Sequence, residues 1–240
     1  MAKRWRQYSY ADQQNHLRQV RIVLIWLFAF IVVYTLISGL LVSNRVLENN
    51  TMKPEFLAGD RCVFLSFTVH HLLRDKTEGS LPFQRGQVVL VDRTAGTGRP
   101  FLRTIFDSFV RFFSFQRYSL FPKDDVLFVK RVIGLPGDTV SMNNYVVRVK
   151  PAGEQYEFTE FELTSADYIP ELPQVSPLWD ESLPFSGFMD SKVLGKGECF
   201  VLSDDRSTTN DSRTWGPVPA ASITGRVLIR YWPLTRFKRY

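Results

Sequence analysis

Asp124-Asp125-Val126-Leu127-Phe128-Val129-Lys130-Arg131-Val132-Ile133-Gly134-Leu135-Pro136-Gly137-Asp138 decides the fold. Two acids open it, an apolar run reads as a β-strand, and a Gly/Pro/Gly turn closes it. Two cations interrupt the run. Side chains alternate along a strand, so Lys130 shares a face with Phe128 and Val132 while Arg131 looks the other way. A lysine on an apolar face can give up its proton; an arginine there cannot. To act as a base near neutrality a lysine must fall by roughly three pH units, which costs on the order of 4 kcal/mol. The alternative is a strand lysine that snorkels to water.

At 240 residues and 45% hydrophobic, the chain holds one large domain or two small ones. Its formal charge of +6 suits nucleic acid or an anionic membrane surface. Cys62 and Cys199 have no metal-ligand spacing, and they read as two buried thiols or one disulfide.

The chain's beginning bears on the compartment. Residues 1–21 carry Lys3, Arg4, Arg6, Arg18 and Arg21 against Asp12, a basic leader. Ile22 to Ser43 is free of charge and as long as a transmembrane helix, longer than a signal-peptide core and without a small-residue cleavage site after it. The expectation is an uncleaved anchor over 22–43. The positive-inside rule keeps the leader in the cytoplasm and places residues 44–240 outside it, which disfavours nucleic acid as a partner.

After the anchor, Glu48-Asn49-Asn50-Thr51-Met52-Lys53-Pro54 leads through Leu57-Ala58-Gly59-Asp60 into a strand at Arg61. A hydroxyl followed by Met-x-Pro and Leu-x-Gly-Asp resembles the nucleophile box of the type I signal peptidases. Pro82 to Val91 resembles that family's next strand, and Val129 to Asp138 its lysine box. Ser203-Asp204-Asp205-Arg206-Ser207-Thr208-Thr209-Asn210-Asp211-Ser212-Arg213-Thr214-Trp215-Gly216 resembles its final box.

The resemblance implies a mainly β protein, in which one transmembrane helix precedes an antiparallel catalytic domain. It also implies removal of signal peptides from exported preproteins by a hydroxyl/lysine dyad, at the outer side of the bacterial cytoplasmic membrane. The nucleophile lands on Thr51 and the general base on Lys130, with threonine where the family has serine. The hydroxyl that orients the lysine lands on Thr209, again threonine for serine. Ser203 stands where the family usually has glycine. Asn49 is either a side-chain donor to the oxyanion or a residue that turns the loop. Asp204, Asp211 and Arg213 fall on structural positions, and Met52 and Pro54 on the walls of the substrate pocket. No cofactor or metal is implied; lipid and the translocation machinery are the implied partners besides signal peptides. The rival reading is a catalytically impaired relative that binds signal peptides or membrane proteins through the same groove.

Two stretches lie outside the resemblance. Phe101 to Phe115 is aromatic, basic and of helical period, and suits either the bilayer interface or the domain's own core. Residues 151–198 hold ten acids against two lysines and five prolines, which reads as a solvated acidic subdomain inserted over about 141–198.

Overall fold

The computed structural model describes residues 10–67, 81–93, 110, 127–165, 167–173 and 187–240. The segment proposed at 101–115 lies outside these residues save Val110.

Helix α1 runs from Tyr10 to Leu40, 31 residues, which makes it about 46 Å long. Leu24, Ile25, Trp26 and Phe28 are consecutive or nearly so, and all are exposed. Consecutive positions lie on different sides of a helix, so its apolar surface goes round the cylinder rather than along one stripe. Asn15–Tyr34 is long and apolar enough to cross a bilayer. The helix stops short of Ser43, because Val42–Val46 forms β1, whose Val42 pairs with Leu65.

The second unit begins at Leu40. Its main sheet comprises β1, β2 (Arg61–Ser66), β3 (Val88–Asp92), β4 (Leu127–Gly134), β9 (Glu198–Leu202), β10 (Val218–Pro219), β11 (Ile223–Trp232) and β12 (Lys238–Arg239). The order is β1-β2-β11-β3-β4-β9-β10, with β12 on β11, and every pairing is antiparallel. The protein is therefore mainly β with one apolar N-terminal helix.

Strand alternation explains the packing. Val89 and Val91 of β3 join Val132, Val201 and Ile223 in one core, whereas Val88 and Leu90 join Met52, Phe56 and Phe64 in another. The central strand is thus buried on both faces. Cys62 and Cys199 are free thiols in these two different cores, so the disulfide alternative falls. Burial pushes both thiols up to about 12. Strand β4 ends in the Leu135-Pro136-Gly137-Asp138 turn. There Asp138 accepts from the Leu135 N–H at 2.7 Å and pairs with Arg85 at 2.7 Å, while Gly137 supplies a φ of +86°.

A second, four-stranded sheet has the order β7-β6-β5-β8, and the acidic stretch supplies its two outer strands. Its strands are β5 (Thr139–Asn143), β6 (Val146–Lys150), β7 (Phe158–Thr159) and β8 (Met189–Val193). Strand β8 is exposed along most of its length, whereas β5 and β6 bury alternate side chains. Val140, Met142, Val147 and Val149 share a core with Ile133, Phe200 and Leu202 of the main sheet, and Glu160 is buried against Arg206.

Candidate functional site

Lys130 and Arg131 emerge from β4 on opposite faces, each with its own set of partners. Lys130 pairs with Val89 across the β3–β4 ladder, Arg131 with Val88, and directly opposed residues share a face. Arg131 donates to both oxygens of Asp204 at 2.7 and 2.5 Å, to the Gly86 carbonyl at 2.6 Å and to Glu55 at 2.8 Å. The Tyr168 ring lies 3.8 Å from its guanidinium carbon. Tyr168 in turn donates to Glu160, which pairs with Arg206 at 2.5 Å. These buried ion pairs tie the loop that carries Thr51, through Glu55, to the start of the final box and to the second sheet.

On the other face the Lys130 amine is fully buried and donates to Ser203 Oγ at 2.8 Å. The Phe128 and Trp215 rings each lie 5.9 Å from the amine, and the two rings pack at 4.8 Å. Burial pushes the lysine down to about 8; Asp211 pulls it up, Arg213 pushes it down, and Asp204 and Asp205 pull it up. No carboxylate forms an ion pair with it among the described residues. A neutral amine is therefore accessible near neutral pH.

The final box holds this arrangement in place. Asp211 accepts from the Ser203 N–H at 3.0 Å, caps α2 (Ser212–Trp215) through the Arg213 N–H, and pairs with the Arg213 guanidinium at 2.8 Å. Burial works to raise the Asp211 pKa, but Arg213 and the two backbone donors outweigh it and keep the group ionised. Thr209 faces a different set of groups. Its carbonyl accepts from the Asp211 N–H at 2.9 Å and from the Thr214 hydroxyl, and Lys130 makes no hydrogen bond to it. The hydroxyl that accepts from the lysine is that of Ser203.

Thr51 is half-buried in the loop between β1 and β2, and its carbonyl accepts from the Asp205 N–H at 3.0 Å. That contact brings the loop to the chain segment leaving Ser203, two residues away and at most about 7 Å along the backbone. The Thr51 hydroxyl donates to Asn49 Oδ1 at 2.8 Å, and the Thr51 N–H points at the same oxygen at 3.3 Å. No hydrogen bond joins Thr51 to Lys130. Asn49 turns the loop through its oxygen, as Asn50 does by accepting from the Ala58 N–H at 2.8 Å. Met52 is buried in the core with Phe56, whereas Pro54 lines an open cleft of about 680 Å³ with Glu55, Tyr168, Ile169 and Arg236. Neither Thr51 nor Lys130 lines that cleft.

The family model described as "Signal peptidase, peptidase S26" matches residues 19–232. The chain belongs to the signal peptidase family, peptidase S26. Among its relatives in this family, Signal peptidase IB of Staphylococcus aureus is 34% identical over 113 residues, 46% of this chain and 56% of the relative. A protein described as probable signal peptidase I-1 of Synechocystis is 34% identical over 110 residues, 46% of this chain and 45% of the relative. The chain thus spans about half the length of the curated relatives it matches.

Sequence reasoning missed three features of this S26 site. Ser203 continues the β4–β9 register, in which Arg131 pairs with Leu202 and Val132 with Val201, so the next step sets Ser203 opposite Lys130. That signal needs the strand pairing, which one sequence does not give. Trp215 was visible only as part of a motif, and its packing on Phe128 beside the amine depends on α2 folding back. The link from Tyr168 through Glu160 to Arg206 spans 8 and then 46 positions and has no local pattern.

Proposed function

We propose that the protein is a membrane-anchored endopeptidase that removes signal peptides from exported preproteins. Thr51 acts as nucleophile and neutral Lys130 as general base, at the outer face of the cytoplasmic membrane. The observation that carries this reading is a fully buried amine with no ion pair among the described residues, held by a neutral hydroxyl and pushed down to about 8. Membership of the S26 family and the apolar helix α1 support the substrate class and the membrane setting.

In the reaction the Thr51 hydroxyl leaves Asn49 and turns toward Lys130, which takes its proton as the oxygen attacks the scissile carbonyl. The oxyanion replaces Asn49 Oδ1 as acceptor for the Thr51 N–H. The Lys130 ammonium then protonates the departing amine. Neutral again, it draws a proton from the water that attacks the ester and gives it to the Thr51 oxygen as the acyl C–O bond breaks, which restores the hydroxyl and the neutral amine. Activity rises with pH through about 8, because only the deprotonated lysine can act.

The rival, an impaired relative that binds signal peptides without cutting them, draws on the Thr51 hydroxyl being engaged by Asn49. Incubating the detergent-solubilised chain with a preprotein carrying an Ala-x-Ala site separates the two. Cleavage by the native chain, lost in Thr51→Ala and Lys130→Ala and kept in Thr51→Ser, supports the proposal. Inertness rescued by Thr51→Ser points to a degenerate enzyme, and inertness in all four to the binding role.

A further inference from the structure

A lysine side chain has four rotatable bonds, and a base that must point at one hydroxyl needs a directional partner. The aromatic rings beside Lys130, 5.9 Å away, give contact without direction. One hydrogen bond gives direction, and it runs to Ser203 Oγ. Ser203 is fixed in turn: its N–H is held by Asp211, which is held by Arg213. Ser203 is completely buried, as is the amine that donates to it.

We propose that Ser203 is the positioning residue for the general base, the side chain that aims the Lys130 amine at Thr51. This rests on the reading of Lys130 as base. By accepting an N–H from the amine, the serine oxygen leaves the nitrogen lone pair free for the Thr51 proton. When that proton arrives, the same oxygen stays bonded to the ammonium. Ser203 keeps its own proton throughout, and no atom is transferred to or from it.

The test compares full-length wild type, Ser203→Ala and Ser203→Cys in detergent. The cysteine keeps the shape but is a weak acceptor. Cleavage of a preprotein is measured against pH, and the Lys130 amine is titrated by nitrogen NMR with lysine-labelled protein, the signal assigned with Lys130→Met. Both variants are expected to lose about tenfold to a hundredfold in kcat with KM within about twofold. Their acid limb, and the lysine titration itself, fall below the wild-type value of about 8 because the ammonium has lost its acceptor. Ser203→Cys retaining wild-type kcat and wild-type titration overturns the proposal, even if Ser203→Ala fails to fold. Should wild type cut nothing, the functional reading fails. The titration still decides the contact: a downward movement in Ser203→Cys upholds it and an unchanged value removes it.

Discussion

Replacing Lys130 by methionine takes a buried amine out of the fold while keeping an unbranched chain of similar reach. The folded lysine titrates at about 8 against 10.5 in an exposed chain. Below pH 8 both states hold the proton, and the fold bears the full cost of a charged amine in its interior. Between pH 8 and 10.5 the unfolded chain keeps a proton that the folded chain has released, so wild-type stability climbs with pH. Above 10.5 the penalty is gone. That interval corresponds to about 3 kcal/mol. Against it stands a pH-independent loss of about 1–3 kcal/mol, because the variant leaves Ser203 Oγ buried without the amine. At pH 7 the variant is therefore about as stable as wild type or somewhat more so, and by pH 10.5 it is less stable. The other titrating groups are common to both chains and cancel in the difference. Denaturant unfolding of the two full-length proteins in detergent, followed by tryptophan fluorescence from pH 7 to 10.5, gives that difference directly. Two curves that stay parallel within about 0.5 kcal/mol refute the reasoning, since they mean the folded lysine titrates where an exposed one does.

Asn49→Asp places a carboxylate where the Thr51 hydroxyl and N–H both donate. An anion there competes with the oxyanion for the same N–H, so kcat falls about a hundredfold with little change in KM, measured on a preprotein at pH 8. Glu160→Gln leaves the Arg206 guanidinium, fully buried, without its counter-charge; denaturant unfolding is expected to show a loss of about 3–5 kcal/mol. Gly225→Ala sets a Cβ 2.6 Å from the Leu65 carbonyl oxygen. Strands β2 and β11 must part to admit it, costing about 1–3 kcal/mol in the same assay.

What the sequence made legible follows from which interactions are local. The strand through Lys130 and its closing turn are written in alternation and in Gly137-Asp138, and the apolar length of α1 is a matter of composition alone. The end of α1 was less legible, since Val42 and Ser43 extend an uncharged run equally well as helix or strand. Their partners, Leu65 and Phe64, decide it from more than twenty residues away. The second sheet was less legible for a related reason. Its buried alternate positions Val140, Met142, Val147 and Val149 lie ahead of the acidic stretch and pack on Ile133, Phe200 and Leu202 of the main sheet, contacts that one sequence does not give. Within the site, a motif names the residues but not their bonds. Position 209 carries a hydroxyl, yet the register of β4 and β9 puts position 203 opposite the lysine.

The neutral amine depends on how its acidic neighbours are engaged. Asp204, Asp205 and Asp211 all act to raise the Lys130 pKa, and left unpaired they would hold the lysine charged at any physiological pH. The fold gives Asp204 to Arg131, on the opposite face of the same strand, and Asp211 to Arg213, while Asp205 accepts from the Ser207 N–H at 3.0 Å and from the Ser207 hydroxyl. With the carboxylates so occupied, desolvation is the largest influence left on the amine. The adjacent Lys130 and Arg131 thus have complementary work: one is able to lose its charge because the other, which cannot, draws off a carboxylate on the far side of the sheet.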